Sequence, residues 1–198
     1  LTGMDLVAEQ FSIAEGNPLS LRQEAIRRSG HAIECRIYAE DPEASFLPDP
    51  GVVHRHRPPS GPGIRVDAGL DEGERVHLHY DPMIAKLIAW GRDRDEAIRR
   101  MRRALSEYEI AGLRTTIPFC LFVLDHPTFQ RGEATTRFVE EHFSPELLGA
   151  QVDDETARLA AIASALHAES RSASPAPVSA VSVNGSGVSR AWLARRRY

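Results

Sequence analysis

The chain has 198 residues, 42% hydrophobic and 26% charged, with 24 Lys and Arg against 28 Asp and Glu for a formal net charge of −4. That balance suits one ordinary globular domain with a remainder, and the lack of a basic excess argues against a nucleic-acid partner, although Arg195, Arg196 and Arg197 make the end locally basic. No run of 18 apolar residues offers a membrane span and no signal-peptide pattern opens the chain. The 2 cysteines, Cys35 and Cys120, are too few for a disulfide framework, so we expect small buried thiols in a cytoplasmic protein with no membrane partner.

In chain order, Met4, Val7, Ala8 and Phe11 recur at helical spacing behind Thr2 and Asp5, predicting a helix over residues 3–15 that Gly16 and Asn17-Pro18 end. Its apolar stripe lacks a domain of its own, so we expect it to be the tail of a larger upstream unit. Residues 20–28 allow one more short helix. Residues 33–38, 52–56, 64–67, 76–80 and 83–90 then read as strands between Pro- and Gly-rich loops, a meandering and mainly antiparallel sheet. Asp93 and Glu96 open a helix whose stripe is Ile98, Met101, Leu105 and Tyr108, with Arg99, Arg100, Arg102 and Arg103 expected as solvated surface. The apolar run at 118–125 is short enough for helix or strand, and Pro118 at its first turn favours helix. Residues 136–143 read as a final short helix. The fold class expected is therefore α+β, a mainly antiparallel sheet with covering helices.

Beyond this, Leu159, Ile162, Ala163 and Leu166 share one face of an alanine-rich stretch at 153–169, predicting a helix. Residues 170–189 show no period and read as a linker, after which Trp192 and the Arg-rich end look like the opening of another element.

Strand 33–38 carries the main candidate for chemistry. With a period of two, Ile33, Cys35, Ile37 and Ala39 take one face, and Glu34, Arg36 and Tyr38 the other, until Asp41 and Pro42 stop the strand. Periodicity alone reads Arg36 as solvated or salt-bridged. A guanidinium mid-strand on a rigid element is also well placed to recognise an anion or a polarised carbonyl. His54 and His56 share a strand face, as do His77 and His79, and paired strands could bring four imidazoles to a Zn2+ site. The plainer reading is exposed polar positions alternating with Val53, Val76 and Leu78, and we expect no metal. Gly61-Pro62-Gly63 lacks the Lys and Ser/Thr of a phosphate loop and reads as a turn.

GHAIECRIYAEDP at residues 30–42, FLPDPG at 46–51, SGPGIRVD at 60–67 and YDPMIAKLI at 80–88 together resemble the C-terminal domain of biotin carboxylase, the ATP-grasp component of biotin-dependent carboxylases. The likeness runs over residues 1–145. It implies a remnant of an ATP-grasp domain at 1–29, the biotin carboxylase C-terminal domain at 30–145, a helical extension at 146–169, and a linker with the start of a truncated region at 170–198. The implied parent is the biotin-containing alpha subunit of an acyl-CoA (acetyl- or propionyl-CoA) carboxylase, which carboxylates biotin with ATP and bicarbonate. A pyruvate or urea carboxylase parent, or a non-catalytic dimerisation or scaffold module, are the alternatives.

In that family an arginine matching Arg36 lies against biotin, where it can stabilise negative charge developing on the ureido oxygen. Glu34, on the same face, is expected to hold that guanidinium. Arg65 matches a position near the homodimer contact, but Pro62 stands where some members have an aromatic residue. Thr135 and Thr136 fall near the adenine end of ATP without amounting to a site. The cofactors implied are biotin, with ATP and Mg2+ in the full-length parent, their main ligands being absent here. The partners implied are the ATP-grasp region of the same polypeptide, a biotin carrier domain, a carboxyltransferase subunit and a second copy in a homo-oligomer. The chain alone is expected to be inactive.

Overall fold

Alternation of large and small apolar residues builds the centre of the fold. The computed structural model describes residues 1–149, 158–159 and 161–167, and the chain divides into two units, Leu1–Gly149 and Ala150–Tyr198. In the second unit the described residues are helical and exposed. The predicted linker and following element at 170–198 lie outside the described residues.

In the first unit, strands β1 (His31–Tyr38) and β5 (Ile64–Ala68) both pair antiparallel with β6 (Met83–Gly91), giving the order β1-β6-β5. The register sets Ile33 opposite Ala89, Cys35 opposite Leu87 and Ile37 opposite Ala85. Helix α2 (Arg94–Glu107) lies over this apolar face and buries Ala97, Ile98, Met101, Ala104 and Leu105. Asp93 caps it by accepting from Glu96 N–H at 2.8 Å, as the pattern predicts. The turn into α2 is tight: a Cβ on Gly91 would stand 2.5 Å from Ala97 N, so only glycine lets the helix start against the strand end.

Of the α2 arginines expected as solvated surface, Arg99, Arg102 and Arg103 are exposed and Arg100 is half-buried. Arg100 donates to the Trp90 carbonyl at 2.6 Å and to Glu96 at 2.9 Å, Arg103 to Glu107 at 2.7 Å and to the Ser60 carbonyl at 3.2 Å, and Arg102 pairs with Asp125 at 2.7 Å. Their long stems let them reach past the helix surface to the elements beside it.

Around this centre, the short strands β2 (Glu40–Asp41) and β3 (Leu47–Pro48) pair with each other, as do β4 (Arg55–Arg57) and β7 (Glu109–Ala111). Helices α3 (Ile117–Asp125), α4 (Pro127–Gln130) and α5 (Phe138–His142) follow, and Pro118 in the first turn of α3 resolves the ambiguous apolar run as helix. Helix α1 (Leu6–Ala14) starts later than expected because Asp5, not Thr2, is its cap, accepting from the Val7 and Ala8 N–H groups. Its stripe faces solvent, with Phe11 67% exposed. In place of a helix at 20–28 there is a single 3-10 turn, Gln23–Ala25.

The largest departure from the sequence reading is at 76–80, where no strand forms. Val53 and Val76 both turn into the core, so their segments meet at one bridge, Val52 to Arg75, instead of a ladder, and β4 takes β7 as its partner. The four histidines therefore do not converge. His54, His77 and His79 are exposed, whereas His56 Nε2 lies 2.9 Å from the Tyr108 hydroxyl. Burial pushes that phenol up to about 12.

Candidate functional site

The polar face of β1 forms as its alternation dictates. Glu34 and Arg36 point away from the core, and Arg36 Nε donates to Glu34 Oε1 at 3.2 Å. The nearby Tyr38 phenol first, then Glu34, push Arg36 above its already high ordinary value. Arg36 is thus a permanent cation held by Glu34, with the Tyr38 phenol close by. Two neighbours cannot use up its five N–H donors, and its side chain is 59% exposed, so donors remain for a ligand.

Glu34, Arg36 and Tyr38 line a cleft of about 330 Å³ whose other wall is apolar, including Phe46, Phe119 and Leu124. A planar anion or a polarised carbonyl on an apolar ring system suits such a place, with the charge met at the rim and the hydrocarbon covered by the wall.

The backbone under Arg36 is held with equal care. The β1–β6 register slips between Ile37 and Tyr38, an irregularity of the kind that re-aims a side chain. The two cysteines, read from sequence as small buried residues, are half-buried free thiols, and Cys35 on β1 and Cys120 on α3 line the same cleft. The nearby Cys120 first, then burial, push the Cys35 thiol up, so it stays protonated.

The second sequence candidate, Arg65, shares the outer sheet face with Arg36. Glu34 and Arg65 both stand opposite Ile88, and Arg36 and Asp67 both stand opposite Lys86. β6 intervenes, so β1 and β5 are roughly 10 Å apart, two strand spacings. Arg65 is 74% exposed and makes a forked pair with Asp67, 2.8 Å at each bond, which holds the Asp67 carboxyl below its usual range.

Thr135 and Thr136 are exposed ahead of α5 and do not line the cleft. Lys86 is the chain's single lysine. Among the described residues no three His, Cys, Asp or Glu side chains cluster closely enough to hold a metal, and no helix is long and apolar enough to cross a membrane. Sequence reasoning missed Thr116, a buried polar residue, 5% exposed, just before α3, and also missed Tyr38 as a neighbour of Arg36. A threonine ahead of a proline-led helix reads as an ordinary cap, so no local signal separated it.

The family model of the biotin carboxylase C-terminal domain matches residues 34–141. The chain is 51% identical over 142 residues to biotin carboxylase 1 of Bacillus subtilis, covering 72% of this chain and 32% of that one. It is 45% identical over 143 residues to the mitochondrial methylcrotonoyl-CoA carboxylase subunit alpha of Rattus norvegicus, covering 72% of this chain and 20% of that one. Among solved structures, it matches the biotin carboxylase domain dimer of Hydrogenobacter thermophilus 2-oxoglutarate carboxylase, in complex with MgADP, ADP and bicarbonate. The TM-score is 0.70 with 44% identity, over 74% of this chain and 32% of that one. The chain thus spans a third or less of the length of these relatives.

Proposed function

The chain belongs to the biotin carboxylase C-terminal domain family, and on that premise we propose that it completes a site where biotin is carboxylated at the expense of ATP, with Arg36 set against biotin. The observation that carries the reading is the place of Arg36: a guanidinium held by Glu34 at the rim of an apolar cleft that Tyr38 also lines, with donors left over. Biotin supplies a ureido nitrogen that accepts the carboxyl group. Arg36 would donate its N–H groups to the neighbouring ureido oxygen and stabilise negative charge there, the proton of the ureido nitrogen passing to a base of the ATP-grasp region. A preorganised charged donor of this kind is worth ~10² to 10³ in rate. Glu34 keeps the guanidinium oriented, and the apolar wall covers the ring and excludes water.

We assign ATP and Mg2+ to an ATP-grasp region of the same polypeptide, of which residues 1–29 form the end, as the family likeness implies. Residues 30–145 are then the C-terminal domain, 146–169 an extension, and 170–198 a connection toward a biotin carrier domain. Arg65 is assigned to a contact with a second copy. The acceptor is assigned as an acyl-CoA, carboxylated on a partner carboxyltransferase, with the likeness to methylcrotonoyl-CoA carboxylase alpha as support.

The test combines the chain with the ATP-grasp region and follows biotin-dependent phosphate release from ATP in bicarbonate buffer. The chain alone should be silent, the mixture active, and Arg36→Ala reduced ~100-fold or more. Full activity of Arg36→Ala in an assembled mixture would instead make this domain a structural platform.

A further inference from the structure

We propose that Thr116 is a positioning residue for Arg36, an inference that rests on the biotin reading of Arg36 given above. β1 is an edge strand: β6 takes one side of it and, among the described residues, no strand takes the other. The backbone groups on that free side still need partners. At the Arg36–Tyr38 segment Thr116 meets three of them. Its hydroxyl donates to the Arg36 carbonyl at 3.1 Å and accepts from the Tyr38 N–H at 3.1 Å, while its own N–H donates to the Tyr38 carbonyl at 3.2 Å.

One residue therefore stands in for a missing neighbouring strand, and it does so where the β1–β6 register slips between Ile37 and Tyr38. A slipped register leaves the ladder alone a weak guide to the dihedrals of Arg36 and Tyr38. Thr116 supplies the second constraint. Because side-chain direction follows from those dihedrals, it fixes where the guanidinium and the phenol point into the cleft. Buried at 5% exposure, Thr116 does not compete with water for these bonds. Thr116 lines the same cleft, almost wholly buried, and acts through Arg36.

The experiment uses the polypeptide containing this chain together with its ATP-grasp region. Kinetic constants for free biotin and bicarbonate-dependent ATP hydrolysis without biotin are measured for Thr116→Val, Thr116→Ser and Arg36→Ala. Thr116→Val keeps the shape and removes the hydroxyl. We expect its kcat with biotin to fall about tenfold, short of the ~100-fold that a full ångström of misplacement costs. ATP hydrolysis without biotin should hold, Thr116→Ser should recover most of the loss, and Thr116→Val should add nothing to Arg36→Ala.

Should Thr116→Val not fold, Thr116→Cys, similar in volume with a weak donor and acceptor, is expected to show the same selective loss. Wild-type kcat in either variant, or an equal fall of both activities, overturns the inference. If Arg36→Ala itself keeps its biotin-dependent turnover, the biotin reading fails and takes this inference with it. If Arg36→Ala loses turnover and the Thr116 variants do not, only the positioning role fails.

Discussion

Arg36 on β1 stands directly across from Lys86 on β6, and Asp67 on β5 stands directly across from Lys86 on its other side. The outer face of the sheet thus carries a row of cation, cation, anion. Like charges directly opposite weaken a strand pair and opposite charges strengthen one, each by up to about 1 kcal/mol. Lys86→Met keeps most of the apolar stem and removes the repulsion, so we expect an unchanged or higher urea midpoint. Asp67→Asn removes the anion that Arg65 forks and Lys86 faces, and should lower stability by under about 1 kcal/mol because the pair is exposed. A larger loss from Lys86→Met than from Asp67→Asn would mean that attraction to Asp67 outweighs repulsion from Arg36.

Gly91 offers a sharper test of packing. An added methyl would meet Ala97 N at 2.5 Å and the Glu96 carbonyl carbon at 2.9 Å, both backbone atoms that cannot swing aside. Gly91→Ala must push α2 away from the end of β6. We expect a loss of about 1 to 3 kcal/mol by chemical denaturation, the usual range for overpacking. Ala97→Gly beside it should not restore the loss, since the clash is with main chain.

The contrast between Gly91 and Thr116 shows what was readable in the sequence. The faces of β1, the stripe of α2 and the Asp93 cap are local patterns, and they came through residue by residue because a period of two or 3.6 needs no knowledge of the partner. Arg36 and Glu34 were placed on one face by the same rule. Thr116 reaches Arg36 across 80 positions of sequence, and Cys120 joins Cys35 in one cleft across a comparable gap. No period encodes such meetings. The strand expected at 76–80 failed for a related reason: alternation of Val76 and Leu78 resembled a strand, but Leu78 is 66% exposed and no second ladder was available.

Glu96 gives the fold a defined acid sensitivity. It accepts from Arg92 N–H at 2.8 Å and from the Arg92 and Arg100 guanidinium groups at 3.0 and 2.9 Å, with its side chain only 14% exposed. The backbone bond first, then the arginines, hold its carboxyl below the ordinary 4.5. A carboxyl depressed in the folded state contributes stability that is complete above its unfolded value and is lost as pH falls through its folded value. Thermal melts of wild type and Glu96→Gln should therefore differ by a constant amount above about pH 5 and converge as the pH drops below about 4. A gap that persists undiminished at low pH would place the contribution in packing instead of charge.

Glu34 separates stability from function most cleanly. Its bond to Arg36 joins side chains 43% and 59% exposed. Exposed pairs of this kind stabilise a fold by about 0 to 1 kcal/mol, so Glu34→Ala should leave the melting temperature within about 4 °C of wild type. If Arg36 acts on biotin, the same substitution frees one side of the guanidinium, and an unoriented donor is a poorer one. In the complete carboxylase we expect a several-fold loss of kcat with biotin. That loss should be smaller than for Arg36→Ala, because the guanidinium itself remains in the cleft beside Tyr38. Glu34→Gln, which keeps an acceptor oxygen, should lie between Glu34→Ala and wild type. If Glu34→Ala melts far below wild type, the pair belongs to the fold; if it turns over biotin as wild type does, Tyr38 and the backbone suffice to aim Arg36.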